Sequence, residues 1–300
     1  MKIDSKNSSL FNHKSVMLKE IINSIDKCPD KSSSEFIGID ATLGGGGHSY
    51  ELLKKFSNLK IIGIDHDPYA LEAASEKLNI FKNRIKIIRS NFSEFQPTEK
   101  FSFLIADLGF NSNQIDTAER GFSFQKDGPL DMRMAPDQKT TAEELIRSLT
   151  EKELADLIYK YGEEKFSRRI SRRIKNDLKI KGKYSGTKDL AYAIAGCFPP
   201  KQRYNKIHPA TRTFQALRIA VNNEIQSLEI LLNNSPNWVL KNGLVSIISF
   251  HSLEDRKVKN YFKNDERFVN LTKKPIVPHN DEIKENNRSR SAKLRIAQIK

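Results

Sequence analysis

The segment Ile39 to Ser49, IDATLGGGGHS, constrains this chain more than any other. Phe36, Ile37 and Ile39 read as a short apolar strand, FIGID, ending at Asp40. Gly44, Gly45, Gly46 and Gly47 then remove the Cβ from consecutive residues, so the backbone can turn sharply and a ligand can approach its N–H groups. Strand, glycine turn and helix in that order form the first half of a nucleotide-binding α/β unit. The next strand, Lys60 to Asp65, ends on an acid placed to accept hydrogen bonds from ribose hydroxyls. Asp67 suits an N-cap and Pro68 the first helical position, so Asp67 reads as structural. Asp65, His66 and Asp67 are not read as a metal site, because three adjacent residues at a strand end do not converge.

The glycine run lacks two nucleotide signatures. With Gly44 and Gly46 as the first pair of a dinucleotide fingerprint, the third glycine position holds Ser49. No GK[ST] follows, which argues against a phosphate-cradling loop. A glycine loop without a basic residue fits a cofactor lacking phosphates, with S-adenosylmethionine the leading candidate.

The α/β pattern continues to about residue 110. Arg84–Arg89 and Phe101–Asp107 read as further strands, with Ala70–Leu78 as a helical connection, which argues a parallel, doubly wound sheet. Asp40, Asp65, the Asn91–Phe92 pair and Asp107 then share the carboxyl rim, where such sheets bind ligands. From about 113 to 210 no strand is convincing. Ala142–Leu149 and Lys152–Tyr161 read as helices, followed by KFSRRISRRIK from Lys165. Phe166, Ile170 and Ile174 would face a core, with Arg168, Arg169, Arg172 and Arg173 opposite and no acid among them. Phosphate contact is the favoured reading of that face over a solvated helix, and Lys179, Lys181 and Lys183 extend it.

Thr213 to Leu232 reads as one long helix with Phe214, Leu217, Val221, Ile225, Leu228 and Leu232 as its apolar stripe. Lys241–Gly243 reads as a turn and Leu244–Phe250 as a buried strand. Ser252 with Asp255 reads as a capping pair, which makes Ser252 structural. His251 reads equally as a strand-end site residue or a packing histidine. In the tail, Arg288, Arg290, Lys293 and Arg295 suit phosphate contacts, and Leu294 and Ile296 read as a last edge strand.

Composition narrows the partners. Lys plus Arg total 51 against 37 Asp plus Glu, a net charge of +14. That favours a polyanion, RNA or DNA over a membrane, since no lipid signal or transmembrane-length apolar run is present; a basic but non-binding surface is the plainer alternative. Cys28 and Cys197 lack CxxC spacing, so neither a disulfide framework nor a zinc site is expected and a reducing cytoplasm fits.

Several motifs then occur together. They are HKSVMLKE (His13–Glu20), DATLGGGGHS, DLGFNSNQID (Asp107–Asp116), RGFSFQKDGPLDMRM (Arg120–Met134), YGEEKFSRRI (Tyr161–Ile170), HPATRTFQALRIAVN (His208–Asn222), SFHSLEDR (Ser249–Arg256) and NRSRSAKLR (Asn287–Arg295). On these the chain resembles the bacterial 16S ribosomal RNA cytosine-N4 methyltransferase family, also called the MraW or RsmH family. The resemblance implies methyl transfer from S-adenosylmethionine to N4 of a cytidine in the decoding centre of the small ribosomal subunit, expected at cytidine 1402. It implies a Rossmann-like α/β methyltransferase domain over 1–112 and 211–300, interrupted by an all-helical, RNA-recognising insertion at 113–210. It also implies cofactor contacts at Gly46, Gly47, His48, Asp65, Phe92, Asp107 and Gln114, and 16S rRNA, free or within the small subunit, as partner.

Neither a metal, a membrane nor an obligate protein partner is expected, and the chain is expected to act as a monomer or homodimer. The loop N–H groups suit a carboxylate and Asp65 a ribose. Phe92 suits stacking on adenine or plain core packing. Asp107 suits accepting hydrogen bonds from the target amino group. The family usually has DLGVSS where this chain has DLGFNS. Phe110 either stacks on the target base or fills more of the core, and Asn111 leaves target contact open. The 120–134 segment reads as a lid, with Asp131 and Arg133 its polar parts, or as a linker. A DNA amino-methyltransferase would be expected to carry a D-P-P-[YF] motif in place of DLGF. A non-catalytic RNA-binding or assembly factor would lose the strand-end acids.

Overall fold

The computed structural model describes residues 15–34, 36–110, 112–203 and 207–300, with the backbone alone at 112 and 113. His13, Lys14 and Asn111 lie outside the described residues. The strands are β1 (Ile37–Asp40), β2 (Lys60–Asp65), β3 (Ile85–Arg89), β4 (Phe101–Asp107), β5 (Val239–Ser249), β6 (Phe268–Asn270) and β7 (Lys293–Ile299). The helices are α1 (Leu18–Ile25), α2 (Gly47–Lys55), α3 (Pro68–Leu78), α4 (Ser112–Asp116), α5 (Ala142–Ser148), α6 (Glu151–Gly162), α7 (Ser167–Lys181), α8 (Thr187–Ala195), α9 (Pro200–Arg203), α10 (Thr211–Val221), α11 (Glu224–Trp238), α12 (Ser252–Asn264) and α13 (Asn280–Glu285). The chain divides into two compact units. One runs to Gly109 and resumes at Ile225–Lys300; the other is Phe110–Glu224.

The first unit is built on a seven-stranded sheet in the order β3-β2-β1-β4-β5-β7-β6. β1 to β5 pair in parallel, and β7 runs antiparallel to both its neighbours. This is a Rossmann-like sheet whose strand order reverses between β1 and β4, the position at which such sheets bind ligands. β4 reads FSFLIAD because both its faces are covered. Phe103 and Ile105 join Ile21, Leu52 and Leu71 on one side, while Leu104 and Ala106 join Leu231, Val258 and Phe262 on the other. Asp67 caps α3 by accepting from the Tyr69 N–H at 3.1 Å, with Pro68 in the first turn as expected. No described helix is long and apolar enough to cross a membrane.

Two expectations in this unit are corrected. β7 is not an edge strand: it is paired on both sides, so the C-terminal residues lie inside the sheet. Lys241–Gly243 is not a turn between elements but an irregularity within β5. The register jumps from Phe101 opposite Val239 to Phe103 opposite Leu244, and Asn242 takes φ 64° to absorb the extra residues.

The second unit is helical. Thr141 and Thr150 form capping boxes with Glu144 and Glu153, which start α5 and α6 close to the expected positions. Ile170 and Ile174 of α7 are fully buried with Leu154, Ile158, Phe214 and Leu217, and Phe166 packs partly buried beside them. The single helix expected over Thr213–Leu232 is instead two. The chain breaks at Asn222–Asn223, where Asn223 takes φ 51°. The Asn222 amide holds the break by donating to the Met132 and Arg218 carbonyls and accepting from the Met134 N–H, each at 2.8 Å. The apolar stripe divides there: Phe214, Leu217 and Val221 belong to the helical core, Leu228 and Leu232 to the sheet core. The helical unit accordingly begins at Phe110 and ends at Glu224, wider than the expected 113–210.

Candidate active site at the carboxyl rim

Three strand-end carboxylates meet the glycine loop. Asp40, at the end of β1, is almost fully buried. Its Oδ2 accepts from Ser49 Oγ at 2.7 Å and its Oδ1 from the Thr42 N–H at 3.3 Å. Burial pushes this carboxyl up to about 6, against the pull of those two bonds and with help from the Asp65 charge. Asp65 ends β2 and ties the loop to the strand: Oδ2 accepts from the Gly44 N–H at 2.8 Å and Oδ1 from the Asp67 N–H at 2.9 Å. Burial raises its pKa while the His66 charge and those N–H bonds oppose the rise.

Asp107 ends β4 and is the least satisfied of the three. Its backbone N–H donates to Thr42 Oγ1 at 2.6 Å. A quarter of its side chain is exposed, yet Oδ1 is buried without a hydrogen-bond partner among the described residues. Burial raises its pKa well above the usual carboxyl range, and the charges of Asp40, Glu254 and Glu282 raise it further. An unpaired buried carboxylate oxygen carries a desolvation cost that a donor from a ligand relieves.

The loop is shaped for close approach. Gly44 and Gly46 take φ 52° and 75°, and a Cβ on Gly46 would also lie 2.9 Å from Leu78 Cδ1. Gly46 caps α2, so the N–H groups of Gly47, His48 and Ser49 open the helix without intrahelical acceptors. The His48 ring is buried, with Nε2 2.9 Å from the Val16 carbonyl and Nδ1 4.0 Å from Asp107 Oδ2. Phe92, beyond the end of β3, packs half-buried against the sheet core. Asp40, Asp65, Asp107, Gly46, Gly47 and His48 therefore come together within one unit.

The other expected residues are placed as follows. Gln114 is buried in the helical unit. Phe110, half-buried in that unit, has the Arg218 guanidinium 4.4 Å from its ring centre, and Arg218 is itself held by Glu224 at 2.8 and 2.9 Å. Asp131 and Arg133 pair with each other at 2.7 and 2.8 Å. The basic face of α7 is less free of acid than its sequence suggests. Arg173 is held by Asp177 at 2.9 Å, Arg172 lies 3.4 Å from Glu151, and Lys181 reaches Asp189. Arg168 and Arg169 are exposed and make no ion pair among the described residues. Arg288 and Arg290 are exposed, whereas Arg295 is buried against Asp255 at 2.7 Å and Lys293 shares that carboxylate at 3.2 Å. The helix cap after β5 is His251, not Ser252: its Nδ1 accepts from the Glu254 N–H at 3.3 Å and the Glu254 carboxylate accepts from the Phe250 N–H at 2.8 Å.

Sequence reasoning passed over two acids that face Asp107. Glu254 was legible as a cap, one residue out of the register assigned to it. Glu282 had no local signal, since it is tied to the rim by accepting from the Met17 N–H at 2.7 Å, across almost the whole chain.

The family model described as the MraW methylase family matches residues 10–300. The chain belongs to the MraW methylase family. A protein of Prochlorococcus marinus subsp. pastoris named ribosomal RNA small subunit methyltransferase H is 68% identical over 300 residues, covering the whole of both chains. The protein of the same name from Prochlorococcus marinus strain MIT 9515 is 70% identical, again over the whole of both. Among solved structures, an rRNA methylase from Streptococcus thermophilus is similar at TM-score 0.42 and 11% identity, over 89% of this chain and 87% of that one. The matched span, residues 10–300, takes in the glycine loop and the strand-end acids of the rim.

Proposed function

We propose that this protein transfers a methyl group from S-adenosylmethionine to the exocyclic N4 of a cytidine in the rRNA of the small ribosomal subunit. The observation that carries the chemistry is Asp107: a strand-end carboxylate at the reversal of the sheet, with Oδ1 buried and without a hydrogen-bond partner among the described residues. The rRNA substrate rests on the full-length relatives and their name.

The cofactor fits the rim on the structure's own terms. Helix-opening N–H groups at Gly47 and His48 suit a carboxylate, Asp65 retains lone pairs for ribose hydroxyls, and the three rim acids suit a sulfonium and an ammonium. Phe92 is the candidate adenine contact and Gln114 a further cofactor residue. Bound S-adenosylmethionine supplies an electrophilic methyl. Cytosine N4 is a weak nucleophile because its lone pair is delocalised into the ring. Asp107 accepts a hydrogen bond from the amino group, localises that pair, and takes the proton that N4 must lose. Neither Cys28 nor Cys197 is assigned a part: Cys28 is buried against the Ser102 carbonyl, and Cys197 is buried in the helical core. Phe110 is the candidate stacking partner of the target base. Arg168, Arg169, Arg172, Arg173, Arg288 and Arg290 are the proposed phosphate contacts, with Arg168 and Arg169 foremost because no acid among the described residues pairs with them.

The test supplies labelled cofactor with unmodified small subunits, naked rRNA and duplex DNA in parallel. Label in N4-methylcytidine from either RNA supports the proposal. Label confined to DNA, or none from any substrate, overturns it.

A further inference from the structure

His48 stands directly behind Asp107 on α2, in the first turn after the glycine loop. The Val16 carbonyl can only accept, so the ring nitrogen 2.9 Å away, Nε2, must carry a proton. In the neutral ring that fixes the tautomer: Nδ1 is left with its lone pair, and Nδ1 is the atom 4.0 Å from Asp107 Oδ2. A carboxyl rotation of about 1 Å closes that gap to hydrogen-bond length, a tightening common when a substrate arrives. Among the described residues, the other charges recorded as acting on Asp107 are acidic: Asp40 on β1, Glu254 on α12 and Glu282 on α13. Glu254 is itself occupied with the His251 cap and Glu282 with the Met17 N–H. Among the described residues that bear on Asp107, His48 is thus the base with an atom aimed at the carboxylate.

We propose that His48 is the positioning residue that completes Asp107: the proton released by the target amino group passes through the Asp107 carboxylate to Nδ1 of His48. This rests on the methyl-transfer reading above and deepens it. As the N4–CH3 bond forms, the methyl–sulfur bond breaks and its electron pair stays on sulfur. N4 then sheds one proton to Asp107 Oδ2. Asp107 hands it to His48 Nδ1 and is a carboxylate again, while the imidazolium keeps its Nε2–H on the Val16 carbonyl.

Two measurements test this. The first needs neither cofactor nor RNA: the His48 ring nitrogens are titrated by NMR in wild type and Asp107→Asn. With the pair coupled, the His48 pKa falls by about one unit when the facing charge is removed. An unchanged titration overturns the proposal. The second is His48→Gln, whose amide can still donate to the Val16 carbonyl while nothing replaces Nδ1. At saturating cofactor, methyl transfer to RNA is expected to fall about tenfold or more and the acid limb of the kcat/KM profile to move. A profile of unchanged shape with unchanged kcat overturns the proposal. Wild-type protein inactive on every substrate overturns the methyl-transfer reading itself, which the NMR titration distinguishes from a failure of the His48–Asp107 coupling alone.

Discussion

Asp107 and Asp40 differ in what their environments ask of them. Asp107 has a buried oxygen with no hydrogen-bond partner among the described residues, so Asp107→Asn is expected to lower methyl transfer by about 100-fold or more while cofactor binding persists. Loss of cofactor binding, measured by calorimetry, would instead make Asp107 a cofactor ligand. Asp40 is satisfied but buried, and its raised pKa has a stability consequence. The native state holds a proton that the unfolded chain releases above the ordinary carboxyl value of 3.8. The stability Asp40 contributes is therefore complete below that pH and is lost as pH rises through about 6. A shift of that size corresponds to about 3 kcal/mol. In the protein without ligand, the Tm of Asp40→Asn relative to wild type should rise between pH 4 and pH 7; a flat difference would show that Asp40 titrates normally. Phe110→Ala is expected to lower the methylation rate more than a surface substitution does, because the ring is already braced by Arg218. A rate no lower than that of a surface control would leave Phe110 a packing residue.

At the scale of elements, α7 and the β7–α12 pair make opposite uses of arginine. On α7, Ile170 and Ile174 anchor the helix and leave Arg168 and Arg169 exposed, with no ion pair among the described residues. Replacing both with alanine should weaken rRNA binding and reduce its salt dependence, lowering the log–log slope by roughly 1.5. Arg173→Ala should do less, since Asp177 already occupies that guanidinium. Equal effects from both changes would show that ion pairing on the helix does not decide which arginines meet RNA. Arg295 on β7, by contrast, is structural. It is buried on Asp255, whose pKa is lowered by the Arg295 and Lys293 bonds working against burial. Asp255→Asn should cost about 3 kcal/mol by leaving Arg295 a buried, unpaired cation, measured by denaturant unfolding near pH 7. That cost should shrink on acidification, because the wild-type carboxylate is then protonated and loses the same bond.

At the scale of the whole molecule, the C-terminal strand is the element on which the sheet closes. β7 bridges β5 and β6, so ending the chain at Ala292 removes an inner strand and strips partners from both neighbours. Such a truncation should fail to give folded protein, as judged by circular dichroism and proteolysis; a stable truncated chain would mean the sheet can close without it. The sheet unit and the helical unit each have apolar core of their own. Leu217→Ala in the helical core and Leu232→Ala in the sheet core should each cost roughly 2–5 kcal/mol, with hydrogen-exchange protection lost first in the unit that carries the substitution.

Local chemistry was legible in the residues themselves. The strands FIGID, KIIGID and FSFLIAD, the glycine turn, the Asp67–Pro68 helix start and the rim positions of Asp40, Asp65 and Asp107 all follow from periodicity, backbone freedom and capping within a few neighbours. Tertiary structure alone decided the features that depend on distant partners. A stripe from Phe214 to Leu232 is continuous in sequence, yet Asn222 finds the Met132 and Met134 backbone and splits it between two cores. β7 reads as an edge until β6 pairs with it. Arg173 and Arg295 read as phosphate ligands until Asp177 and Asp255 take them. Glu282 enters the rim only because α13 packs back on Met17, and the raised pKa of Asp107 exists only where burial and three other acids converge on it.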